Sequence, residues 1–136
     1  MRLLILFLLC GSFWTAQAQG GELKRQIRQD VKALSSLYQL DKEQSEAAYA
    51  VQERYYLQLE EIAPLKDGDY RGYLHKLRAV RQGREYGNEK LLRPHQRPAF
   101  EAEQARQKQA YLDKLAALKA GGATKETLEL AKITIE

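Results

Sequence analysis

The sequence predicts an all-α protein, a long antiparallel helical hairpin or small helix bundle, on three observations. Apolar residues recur at spacings of three and four through most of the chain, the period of an amphipathic helix. Capping and breaking residues separate these periodic stretches, notably Asp41, Pro64 and the pair Gly121-Gly122. No segment before the last ten residues alternates as a half-buried strand does.

The N-terminus has the three parts of a secretory leader. Met1–Arg2 is basic, Leu3–Cys10 is apolar, and Ala16-Gln17-Ala18 is a small-x-small cleavage site. The apolar run is far short of the ~20 residues that span a bilayer. Lipidation of Cys10 is the competing reading, opposed by Leu9 where a small residue is required. The expected organisation is a signal peptide over 1–18, a helical domain over 19–120 and a short tail over 121–136, with the cleaved protein periplasmic or secreted. Cleavage after Ala18 removes the one Met, the one Cys and the one Trp of the chain. Disulfides, cysteine nucleophiles, thiolate zinc sites and iron–sulfur clusters are thereby excluded from the cleaved protein.

Leu23, Ile27, Val31, Leu34 and Tyr38 mark the first helix. Ala48, Val51, Tyr55, Leu59 and Ile62 mark the second, which Pro64 and Asp67-Gly68-Asp69 end. Tyr70, Tyr73, Leu74, Leu77, Val80 and Leu91 mark the third. Phe100, Tyr111, Leu115 and Leu118 mark the fourth, diluted by Gln104, Gln107 and Lys108. In the tail Leu128, Leu130, Ile133 and Ile135 fit neither period, so its structure stays open. Each helix has one apolar stripe that needs a partner. The cleaved chain is thin in branched aliphatics but has eight Tyr, which favours extended helices or a homodimer sharing a core.

Charge is divided between helices. Residues 41–62 hold six acids and two bases; residues 65–97 hold nine bases and four acids. Glu46, Glu53 and Glu60 repeat every seven residues along one line. Two readings follow: acidic and basic helices attracting across a hairpin, or a cationic surface for a ligand. The third helix bears on the choice, because Arg81 and Arg84 project into the arc of Leu77 and Leu91. An unpaired buried arginine would cost several kcal/mol, roughly, so that arc is either paired or open to solvent. Gly72, Ala79, Gly83 and Gly87 form a line of small residues on the opposite flank, suited to close helix approach or merely weakening the helix.

Little here points to catalysis. His75 and His95 lie twenty residues apart and lack metal-ligand spacing. There is no G-x-S-x-G, no phosphate-binding glycine loop and no His-Glu-x-x-His. A non-enzymatic protein without cofactor or metal is expected, and an exported chain rarely meets nucleic acid.

Two motifs remain. Leu40-Asp41-Lys42-Glu43-Gln44 opens the second helix as a capping box, Asp41 accepting from the Gln44 backbone and Gln44 reaching back. Leu92-Arg93-Pro94-His95-Gln96 opens the fourth, with Pro94 at a position where its missing N–H is not needed. Arginine cannot cap as aspartate does, and Pro98 delays the helix to about Arg97. The motifs stand 52 residues apart, both at helix starts, with a long charged helix between them. They resemble the paired L-T-x-x-Q signature of the Spy/CpxP family of periplasmic stress proteins. The second copy is similar to the fuller family pattern through Leu92, Pro94, Gln96, Arg97 and Phe100. Asp41 and Arg93 stand in place of the family's threonine.

The resemblance spans about residues 21–118 and implies an all-α fold with a long hairpin, often dimerised into a curved cradle. Family members protect unfolded envelope proteins without ATP or act as inhibitory sensors in envelope-stress signalling. Related metal-responsive members use His and Met ligands, and the cleaved chain has no Met. The leading expectation is therefore a periplasmic chaperone-like protein holding unfolded or acidic envelope proteins on a mixed apolar and cationic surface formed by Leu74, Leu77, Arg78, Arg81, Arg84 and Leu91. The alternatives are a stress- or metal-responsive sensor docking to a membrane partner, and a structural helical adaptor.

Overall fold

The protein, described here by a computed structural model over residues 12–134, is helical throughout, with no strand among the described residues. Helix α1 covers Ser12–Tyr38, α2 Lys42–Ile62, α3 the single turn Leu65–Gly68, and α4 Tyr70–Leu91. A 3-10 turn at Pro94–Gln96 leads into α5, Arg97–Ala120, and α6 covers Lys125–Thr134. The apolar run Leu3–Cys10 and Ile135 lie outside the described residues, while Ala16-Gln17-Ala18 falls within α1. No helix among the described residues is long and apolar enough to cross a membrane.

The core is built by α1, α2 and α4. Ile27 and Tyr38 from α1, Ala48, Val51 and Ile62 from α2, and Leu74 and Leu77 from α4 are buried. These are the stripes that the 3.6-residue period predicts, each covered by the others. The α2–α4 hairpin is antiparallel, and its register rests on steric and hydrogen-bonded contacts. Gln52, 1% exposed, donates to Asn88 Oδ1 at 3.0 Å. A Cβ at Gly87 would stand 2.9 Å from Val51 Cγ1, so glycine lets the helices close there. The line of small residues does not act as a unit, since a Cβ at Gly83 meets nothing within 4 Å and one at Gly72 meets the Asp69 carboxylate. Helix α1 joins α2 through Tyr56, whose hydroxyl donates to Asp30 Oδ2 at 2.7 Å. Burial first, then the bond to the Asp30 carboxylate, pushes the Tyr56 phenol up to about 12.

The helix ends follow local chemistry. Asp41 caps α2, and Asp69 caps α4 by accepting from Gly72 N at 2.9 Å. Pro98 lies in the first turn of α5, where an N–H has no intrahelical partner, so it fits without cost. Gly121 ends α5, and Gly122 takes φ +76. The tail is itself a helix: α6 turns back and packs on both α4 and α5, burying Ala131.

Candidate functional site

The two sequence motifs meet. Gln44 and Gln96 are both buried, and their amides pair reciprocally: Gln44 Nε2 donates to Gln96 Oε1 at 2.7 Å, and Gln96 Nε2 donates back at 3.2 Å. Each amide then closes its own helix start. Gln44 Oε1 accepts from Asp41 N at 3.1 Å, and Gln96 Oε1 accepts from Arg93 N at 2.8 Å. The remaining donors reach helix ends: Gln44 to Leu91 O at 2.7 Å, and Gln96 to Tyr38 O at 2.9 Å and Gln39 O at 3.2 Å. One pair of side chains thus ties together the ends of α1 and α4 and the starts of α2 and the 3-10 turn. As the sequence predicts, Arg93 supplies no cap; its guanidinium instead pairs with Asp41 of the other motif. Leu92 is buried beside the clasp, Leu40 is half-buried, and Tyr38 packs on Phe100 with ring centroids 5.9 Å apart.

From that apex α4 and α5 diverge and leave a cleft of about 620 Å³ between them. Helix α4 contributes Arg78, Arg81, Gln82 and Glu85; α5 contributes Arg106, Lys108, Tyr111, Leu112 and Lys114 among others. Bases outnumber acids five to one in this lining. Lys108 and Lys114 have no acidic partner among the described residues. Arg106 is held by Glu103 through bonds of 2.8 and 2.6 Å, and that guanidinium, with Gln107, holds the Glu103 carboxyl below its usual range. Leu112 and Tyr111 supply apolar area, Leu112 being 46% exposed.

The structure divides the six residues proposed from sequence as one surface. Leu74 and Leu77, at 1% and 7% exposure, belong to the core, because the stripe of α4 faces α2 and cannot also face a ligand. Arg78 and Arg81 line the cleft. Arg84 lies on the other side of α4, its guanidinium carbon 4.0 Å from the centre of the Tyr55 ring. Leu91 is half-buried at the clasp, where its carbonyl accepts from Gln44. The contribution of α5 was not legible as a stripe, because Lys108 falls in the diluted stretch and Leu112 and Lys114 lie to either side of the Tyr111, Leu115 and Leu118 stripe. His75 and His95 are exposed, and no group of three His, Cys, Asp or Glu side chains suited to a metal occurs among the described residues.

Fold and cleft define an all-α protein with a locked helical hairpin and a splayed, cation-lined arm. Comparison with family models, curated proteins and solved structures finds no match to the chain.

Proposed function

We propose that the chain is an exported, ATP-independent client-binding protein that holds unfolded or acidic segments of envelope proteins in the α4–α5 cleft. The observation that carries this reading is the lining itself, five cationic groups on two diverging walls with the exposed apolar area of Tyr111 and Leu112 on the α5 wall between them. Positive potential gathers acidic segments quickly, and a few apolar contacts hold them weakly enough to let go. The resemblance to the Spy/CpxP family and the leader-like N-terminus support a periplasmic setting. Helix α5 buries only Leu115 along 24 residues, which favours a second copy of the chain covering part of it.

The test is suppression of aggregation of unrelated denatured proteins without nucleotide. Wild-type protein should suppress at near-stoichiometric ratios, and ~0.5 M salt should weaken the effect by screening. The variant Arg81→Gln/Lys108→Gln/Leu112→Gln should lose most of the suppression, while Arg84→Gln, outside the cleft, should retain it. A wild-type protein that suppresses no aggregation at any ratio overturns the reading.

A further inference from the structure

On the other side of the hairpin, α2 and α4 enclose a second, smaller groove of about 240 Å³, lined in part by Arg54, Tyr55, Gly83, Arg84, Tyr86 and Lys90. Three of its lining residues are cationic and none is acidic. None of Arg54, Arg84 and Lys90 forms an ion pair among the described residues. Aromatic rings hold two of them instead: Arg84 stacks 4.0 Å from the centre of Tyr55, and Lys90 Nζ stands 5.0 Å from the centre of Tyr86. A ring attracts a cation through its quadrupole without neutralising the charge or occupying the N–H donors at the guanidinium edge. The groups are therefore positioned, yet their charge and hydrogen-bonding capacity remain unspent.

The floor is open for a local reason. At Gly87 the helices touch, Val51 filling the place of a side chain, whereas one turn earlier Gly83 faces empty space. The groove thus ends at a contact and opens where a Cβ is missing. We propose that it is a binding site for a compact phosphate-type oxyanion, separate from the α4–α5 cleft and independent of client binding. A planar monoanionic carboxylate would leave two of the three positive charges uncompensated. A tetrahedral dianion engages a guanidinium fork and an ammonium together. The volume suits a phosphate with a small substituent, either free in solution or at the head of a lipid.

The test is calorimetric titration of the full chain with inorganic phosphate, alongside co-sedimentation with phosphatidylcholine vesicles with and without phosphatidic acid. Saturable one-site phosphate binding that chloride at matched ionic strength does not reproduce is expected. Arg84→Gln should weaken it at least tenfold, Gly83→Glu should abolish it, and Gly83→Ala should retain it. If the lipid headgroup is the source, phosphatidic acid vesicles bind the wild type and not Arg84→Gln; if free phosphate is the source, only the titration responds. Circular dichroism checks that the variants fold, and should Gly83→Glu unfold the chain, Arg84→Gln decides. Absence of saturable binding in both arms, or binding unchanged by Arg84→Gln, overturns the proposal. These variants should leave aggregation suppression intact, so either reading can fail without the other.

Discussion

Helices α2 and α5 are of similar length, 21 and 24 residues, yet they are held in different ways. Helix α2 buries Gln44, Ala48, Val51, Gln52 and Ile62 between α1 and α4, whereas α5 buries Leu115. Beyond its contacts with α6 and the Phe100–Tyr38 packing at its start, α5 is maintained by its own surface: Arg106 on Glu103, Gln107 on Glu103, and Gln109 on Asp113, spaced three or four apart. Such pairs contribute about 0.2–0.5 kcal/mol each, against the ~1.5–3 kcal/mol of one fully buried aliphatic side chain. The hairpin is thus a tertiary structure and the arm largely a local one. Stability resides in the first, and the exposed cation-lined wall is left to the second, where few contacts must break for it to move.

The sharpest way to break this contrast is the clasp. Gln96→Leu leaves Gln44, the Arg93 N–H and the Tyr38 carbonyl without their buried partner. A loss of about 3 kcal/mol or more in urea unfolding is expected. A loss under ~1 kcal/mol would mean the clasp does not fasten the hairpin. Glycines separate the two faces of α4 next. Gly87→Ala should destabilise by about 1–2 kcal/mol, since the methyl meets Val51, while Gly83→Ala should stabilise by up to ~1 kcal/mol through helix propensity. Equal signs in thermal melts would contradict the close approach at Gly87.

Asp41→Ala should cost about 1 kcal/mol for the lost cap. The Arg93 partner adds little, because both groups are about half-exposed. Removing residues 123–136 should lower stability least, by well under 2 kcal/mol, with hydrogen-exchange protection of α2 unchanged, because α6 buries only Ala131 among its described residues. Alkaline pH gives a graded check on α1–α2. The Tyr56 phenol is raised in the folded state from 10.0 to about 12, so its contribution is fully present below pH ~10 and is lost as pH climbs from ~10 through ~12. Tyr56→Phe should remove that alkaline sensitivity from the unfolding curve.

Gln39 shows why some of this escaped a sequence reading. It takes φ 54, the left-handed conformation that usually calls for glycine, and ends α1 with Leu40 N donating to Ser35 O at 3.3 Å. Nothing local marks a glutamine for that role. Its carbonyl is held by Gln96, 57 residues away in sequence. The capping box at Asp41 was legible because both partners lie within four residues. The pairing of Arg93 with Asp41 was not, because it joins the two motifs across 52 residues of sequence.

By itself the sequence determined the four main helices but not the tail helix α6, since a period of 3.6 and a cap such as Asp41 are local properties of the chain and residues 124–136 carry no clean period. The α2 and α4 limits follow the stripes and breakers closely, and α5 starts at Arg97 as Pro94 and Pro98 require. The tertiary structure decided which side of each helix is surface. Leu74 and Leu77 became core because α2 covers them, and Arg78 and Arg81 became one wall of a cleft because α5 diverges beside them. Arg84 parted from both because Tyr55 of the facing helix holds it. A helical projection ranks residues by angle, but only a neighbouring helix supplies the contact that makes an angle buried, lining or free.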